Sequence, residues 1–267
     1  MSANVPEELV DAGRGYEALF VPALFDVWTQ HVLQGADVKT GAHALDVACG
    51  TGVLTRRIKD QVGPSGRAVG ADPAAGMLAA AQEIEPSIDW VLCAAEDLLF
   101  DEGEFDVVTS QFGMMFFDDR SKAAEEMYRV LRPGGTVSIA VWRAVERNPA
   151  YADIIAVLDE QVGQQAGDAL RLPFSLGNAD EVITCLEQAG FRNVAVEAKT
   201  ESARFPGTRT MVEAELRGWL PLFDIVLGED EINNVLVASD QRLAKYAASD
   251  GSAIFPISAS IFTARKP

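Results

Sequence analysis

The sequence predicts an α/β protein, a doubly wound and mostly parallel sheet with helices on both faces, on three observations. Between residues 43 and 142 short apolar runs alternate with segments of helical spacing, joined by brief Gly/Pro turns. That alternation implies right-handed crossovers between parallel strands. The first run, His43-Ala-Leu-Asp-Val-Ala48, breaks at Gly50 and Gly52 and resumes as a helix. Glycines there permit positive φ and let a ligand lie against the backbone, while the helix start offers unpaired N–H groups. Finally, Asp72 closes the second run, at the position where doubly wound nucleotide folds place a carboxylate for ribose hydroxyls.

Taken in order, residues 1–8 are polar, contain Pro6 and show no period, so they are expected to be loose. From Leu9 to Leu33 apolar residues recur at helical spacing, interrupted by Gly13, Gly15 and Pro22, which predicts two or three helical pieces. Strands are expected at 43–48, 67–72, 88–94, 104–111 and 136–142. The near-continuous apolar character of 104–111 and 136–142 fits a sheet covered on both sides. Helices are expected at 53–62, from Met77 onward, and at 119–131, the last stopped by Arg132-Pro-Gly-Gly135. Beyond Trp142 an amphipathic helix is expected at 178–189, ending at Gly190, and strands at 191–199 and 253–264.

Four stretches together, Asp46-Val-Ala-Cys-Gly50-Thr-Gly52, Asp72, Ala95-Glu-Asp-Leu-Leu-Phe100 and Leu131-Arg-Pro-Gly-Gly135, resemble the motifs of the Rossmann-like (class I) S-adenosylmethionine (SAM) methyltransferases. The likeness is to bacterial small-molecule enzymes of the quinone-biosynthesis and secondary-metabolism type, over roughly residues 16–200. It implies a seven-stranded sheet of order 3-2-1-4-5-7-6 with the last strand antiparallel. Residues 1–42 then form a leading helical segment over the active site, 43–267 the SAM-binding domain, and 144–176 and 205–249 cap insertions around the acceptor.

The resemblance also implies a cofactor site. Asp46, Ala48, Gly50, Thr51 and Gly52 would form its loop. Asp72 with Pro73 would meet the ribose, Met77 the adenine ring, and Gln111 the methionine moiety. Two positions depart from the family: Ala94 stands where a carboxylate is common and Leu99 where proline is usual, so the adenine amino group falls to the Ala95 amide with Glu96 or Asp97. Phe112, Met115, Trp219 and Phe223 are the expected acceptor pocket. The cofactor would be SAM, its product S-adenosylhomocysteine (SAH).

Methyl transfer from a sulfonium can proceed by positioning and desolvation alone. His31, Tyr16 and Gln111 are the candidate catalytic residues. The chain of 267 residues is 48% hydrophobic and carries a formal charge of −18. Residues 1–142 hold 10 Lys+Arg against 22 Asp+Glu, and residues 143–267 hold 12 against 18, so a phosphate backbone would be repelled and a nucleic-acid substrate is disfavoured. Cys49, Cys93 and Cys185 lack metal-ligand spacing; no metal is expected. With no leader and no long apolar run, no membrane partner is expected either. A cytoplasmic enzyme acting on a small, largely apolar molecule, as a monomer or homodimer, is the leading expectation. A nicotinamide dehydrogenase fits less well, since Thr55 replaces the third glycine of its loop and no Tyr-x-x-x-Lys stands out. A protein of the same fold that holds SAM without transferring methyl, or uses it in cyclisation or decarboxylation, is the alternative.

Overall fold

In the computed structural model, which describes residues 5–267, two helices precede the sheet. They are α1 (Glu7–Phe20) and α2 (Asp26–Ala36), joined by a π-helical turn at Val21–Phe25 that carries Pro22 at its start. The segment expected to be loose is shorter than 1–8, because Glu7 and Glu8 open α1, where their charges complement the helix dipole. Residues 1–4 of that segment lie outside the described residues.

Strand and helix then alternate through β1 (His43–Val47), α3 (Val53–Val62), β2 (Arg67–Asp72), α4 (Ala75–Ile84), β3 (Asp89–Leu92), β4 (Phe105–Gln111), α5 (Arg120–Val130) and β5 (Leu131–Trp142). All of these strands pair in parallel: β1 lies between β2 and β4, β3 beside β2, and β5 beside β4. Leu45, Val69, Phe105, Val108 and Ile139 have no exposed surface, as strands covered on both faces require. Two of these strands differ from expectation by more than one residue at an end. β3 is confined to Asp89–Leu92, at the edge of the sheet, where it has a single neighbour. β5 begins at Leu131, not Thr136: Leu131 pairs with Phe105, the register then jumps so that Thr136 pairs with Val107, and Arg132–Gly135 bulge out between. α5 therefore stops at Val130. At its other end the Asp119 carboxylate accepts the Lys122 N–H and caps the first turn.

The chain continues through α6 (Pro149–Gln161), α7 (Gln164–Arg171), α8 (Ala179–Ala189), β6 (Arg192–Phe205), α9 (Thr208–Ala214), α10 (Glu229–Leu243) and β7 (Ala253–Arg265). The sheet order is β3-β2-β1-β4-β5-β7-β6, as expected. β7 is the reversed strand. As the chain along β5 advances from Gly134 to Arg143, its backbone partner falls from Lys266 to Ser258.

The chain forms two compact units. The first takes in the chain up to Val141, with Asn178–Lys199 and Ala259–Pro267; the second comprises Trp142–Gly177 and Thr200–Ser258. Both stretches read as insertions, 144–176 and 205–249, fall in the second unit, which has its own core of Ile154, Leu158, Leu170, Phe205, Leu216 and Phe255. No described helix is long and apolar enough to cross a membrane. Among the described residues no cluster of His, Cys, Asp or Glu could hold a metal ion.

Candidate functional site

The carboxyl ends of β1, β2 and β4 build the site, within the first unit. After β1 the backbone turns through Ala48 (φ 56°), Gly50 (φ 56°) and Gly52 (φ 84°) before α3 begins. The two glycines serve different needs. A Cβ added at Gly50 would meet nothing within 4 Å, so the space beside it is open to a ligand; a Cβ at Gly52 would come within 2.2 Å of the Trp90 ring.

Asp72, at the tip of β2, is buried and faces this loop. One carboxylate oxygen accepts the Gly50 N–H at 2.8 Å and the other accepts the Ala74 N–H at 2.8 Å. Burial pushes its pKa up, against the pull of those two N–H groups. Each oxygen keeps a lone pair beyond the amide it holds, which is what a pair of ribose hydroxyls would use.

Asp46 behaves differently from the expectation that it binds the cofactor. It is 1% exposed, and its two oxygens are taken by the hydroxyls of Thr55 at 2.7 Å and Thr109 at 2.9 Å. It thus ties β1, β4 and α3 together under the loop. Burial pushes its pKa up to about 7, with the Asp72 charge adding to the rise and the two threonine hydroxyls opposing it. The adjoining Cys49 thiol is raised well above its ordinary value, chiefly by burial. It is a buried thiol, as expected.

At the tip of β4, Gln111 donates from Nε2 to the Phe25 carbonyl at 3.2 Å, while its Oε1 is buried with no hydrogen-bond partner among the described residues. A buried acceptor without a donor is costly, and an ammonium group entering the site would supply one. Phe112 follows with φ 58°, a conformation that strains a bulky residue and concentrates at functional sites. Its ring meets Phe25 (centroids 5.7 Å apart) and Trp28 (5.7 Å), and Phe25 stacks on Tyr16 (5.3 Å). The leading segment therefore contributes an aromatic wall. The Tyr16 hydroxyl is held protonated, chiefly by burial and then by the charges of Asp72 and Glu17.

Other candidates are placed less directly. His31 packs on Trp28 (5.7 Å), the same ring that meets Phe112, so it stands a layer behind the wall. Met115 is 1% exposed and belongs to the core with Met114, whereas Phe116 in the same run is exposed; the expectation that Met115 lines a pocket is corrected. Pro73 is exposed beside Asp72 and Met77 is half-buried in the first turn of α4. Ala95 is buried, Glu96 accepts the Asp119 N–H at 3.3 Å, and Asp97 is exposed. Thr51 is buried within the loop. In the second unit Trp219 and Phe223 are half-buried with ring centroids 5.2 Å apart, and the Trp219 Nε1–H donates to the Ala169 carbonyl at 2.9 Å.

The threonines that hold Asp46, the Trp90 ring behind Gly52 and Trp28 behind the aromatic wall carried no motif in the sequence. Thr55 was visible only as a missing glycine.

The residues present suit SAM. Gly50 leaves open space at the loop, Asp72 offers a buried carboxylate whose charge favours a cationic ligand, and Gln111 offers an acceptor that lacks a donor among the described residues.

Comparison with known proteins agrees. The profile of the ubiE/COQ5 methyltransferase family matches residues 18–153. The chain is 34% identical over 191 residues to demethylmenaquinone methyltransferase of Staphylococcus carnosus, an alignment covering 65% of this chain and 78% of that one. It is 36% identical over 121 residues to the chloroplastic 2-phytyl-1,4-beta-naphthoquinone methyltransferase of Arabidopsis thaliana, covering 42% and 46%. Among solved structures, phosphoethanolamine N-methyltransferase 2 of Haemonchus contortus, in complex with SAM, matches with a TM-score of 0.59 at 19% identity, over all of this chain and 58% of that one. That likeness shows the shared fold.

Proposed function

The chain belongs to the ubiE/COQ5 methyltransferase family and is a SAM-dependent methyltransferase, and from that premise we propose that its acceptor is a quinone-type small molecule with a flat, largely apolar ring, methylated by in-line displacement. The observation that carries this reading is the aromatic wall of Tyr16, Phe25 and Phe112 beside Gln111. Two relatives, named for a demethylmenaquinone and for a 2-phytyl-1,4-beta-naphthoquinone acceptor, support it. The acidic balance of both halves of the chain argues against a nucleic-acid acceptor.

When bound, SAM supplies an electrophilic methyl carbon on a sulfonium centre. Asp72 would hold the ribose hydroxyls, Gly50 would admit the ligand against the loop backbone, and the Gln111 Oε1 would accept from the amino group of the methionine moiety. The rings of Tyr16, Phe25 and Phe112 would fix the plane of the acceptor and exclude water. Fixing two reactants in an attack geometry lowers a barrier by as much as about 7–11 kcal/mol, so no dedicated base is required. Tyr16, held protonated at neutral pH, would donate a hydrogen bond to an acceptor oxygen, and His31 takes no part in proton transfer.

The test is incubation with methyl-labelled SAM and a panel of demethylated naphthoquinols, simple phenols, carboxylates and amines, read by mass. Label is expected in the naphthoquinols with kcat/KM at least about tenfold above the other classes, a difference of about 1.4 kcal/mol in transition-state binding. Label confined to amines or carboxylates would overturn the reading.

A further inference from the structure

Glu17, on α1, reaches the cofactor loop from outside the strand, loop and helix that define it. Its Oε2 accepts from the Thr51 hydroxyl at 2.5 Å and its Oε1 from Arg56 Nη2 at 2.6 Å. Arg56 Nη1 in turn donates to the Thr51 carbonyl at 2.7 Å. These three residues close a ring that joins α1, the loop and the first turns of α3. Thr51 is 1% exposed, and the Glu17 and Arg56 side chains are 23% and 22% exposed, so the ring sits at the seam where α1 meets the loop. Charge-assisted bonds in such a partly dry place are stronger than those of a surface pair.

The other ties of α1 are of a different kind. Against α4 it lies by backbone approach: a Cβ on Gly13 would fall 2.9 Å from the Gly76 carbonyl oxygen, and a Cβ on Gly76 would fall 2.4 Å from that of Leu9. That close approach makes α4 the most extensive neighbour of α1, but it gives α1 no tie to the cofactor loop. The bidentate Arg14–Glu83 pair nearby is exposed and contributes little. At its far end α1 passes into the π-turn at Val21–Phe25, with Pro22 in it, an irregularity of the sort that marks hinges. Tyr16, the residue beside Glu17, carries the aromatic wall next to Asp72.

We propose that Glu17 is a positioning residue that locks α1 onto the cofactor loop, so that retention of the cofactor and placement of Tyr16 depend on one ring of hydrogen bonds. Without Glu17 the loop keeps its ties from Asp72 to Gly50 and from Asp46 to Thr55, so the fold survives. What is lost is the link between the loop and the helix. The role is independent of which acceptor is used.

The test measures the SAH dissociation rate by stopped flow, and hydrogen exchange of residues 7–20 with and without SAH, on the full chain. Glu17→Gln and Thr51→Val should each raise the dissociation rate about tenfold, the loss of one charge-assisted bond of about 1.4 kcal/mol. The double variant should be no worse than the weaker single one, because both break the same ring. SAH should protect the amides of α1 in the wild type and fail to do so in Glu17→Gln. Arg14→Ala, which cuts only the exposed pairs of α1, should stay within twofold of wild type. A folded Glu17→Gln with wild-type dissociation and wild-type protection would overturn the proposal. So would Arg14→Ala matching it, since general docking of α1 would then be the cause. Should Glu17→Gln fail to fold, Thr51→Val decides by the same two readouts.

Discussion

Ala48 and Phe112 sit at the tips of neighbouring strands with φ of 56° and 58°, a left-handed backbone that glycine adopts without strain and other residues do not. Their loops touch: a Cβ on Gly113 would lie 2.4 Å from the Ala48 methyl. The strain at Phe112 keeps its ring in the aromatic wall, whereas the Ala48 methyl meets no such need. Ala48→Gly is therefore expected to stabilise the protein by about 0.5–1 kcal/mol. Relief of about 1–2 kcal/mol of backbone strain is partly offset by the greater entropy of glycine in the unfolded chain. Denaturant unfolding checks this, as a higher midpoint at unchanged slope; a lower midpoint would mean that the methyl packs better than its backbone costs. Asp46 illustrates how a residue can be legible by type and misread by role. Its place before the glycine loop marks it as part of a ligand site, but Thr55, nine residues on in α3, and Thr109, 63 residues on in β4, claim both its oxygens.

Among the elements, the π-helical turn Glu215–Trp219 after α9 carries the clearest pH dependence. Glu215 is 5% exposed, accepts the Tyr151 hydroxyl at 3.3 Å, and is pushed up to about 7 by burial, which that hydrogen bond opposes. The folded chain keeps this proton up to about pH 7, while the unfolded chain releases it near the ordinary value of 4.5. Between those limits the native state binds more protons, so stability falls as pH rises, by about 1.4 kcal/mol per unit within the window. Glu215→Gln should be more stable than wild type at pH 8, with an advantage that shrinks as pH falls toward 4.5, as read from Tm against pH. Parallel curves for the two proteins would contradict it. The elements around the cofactor were legible because each is a contiguous apolar run ended by Gly, Pro or Asp. β6 was legible only to Lys199, yet it continues to Phe205: Thr200-Glu-Ser202 has no apolar signal, and membership in the sheet is set by the neighbouring β7. The early start of β5 was hidden in the same way, since the pairing of Leu131 with Phe105 lies before a Pro-Gly-Gly bulge.

On the scale of the whole molecule, a parallel sheet brings Gly50, Asp72 and Gln111 to one end although they are far apart in sequence, and that convergence follows from topology alone. The pairings of the remaining site residues were illegible because their contacts join segments with no common motif: Glu17 bonds to Thr51 and Arg56, 34 and 39 residues away, and Phe25 meets Phe112, 87 residues further along the chain. The buried Asp72 carboxylate at the tip of β2 suits a cationic ligand. The most direct measurement is calorimetric titration of wild type and Asp72→Ala with SAH, with unfolding curves to show that the variant is folded. Wild type should bind SAH and not NAD, and Asp72→Ala should bind about 10- to 100-fold more weakly, the loss of about 1.5–3 kcal/mol in hydrogen bonds to a charged group. Unchanged SAH affinity in folded Asp72→Ala, or NAD bound by wild type as tightly as SAH, would contradict the assignment of the strand tips as the cofactor site.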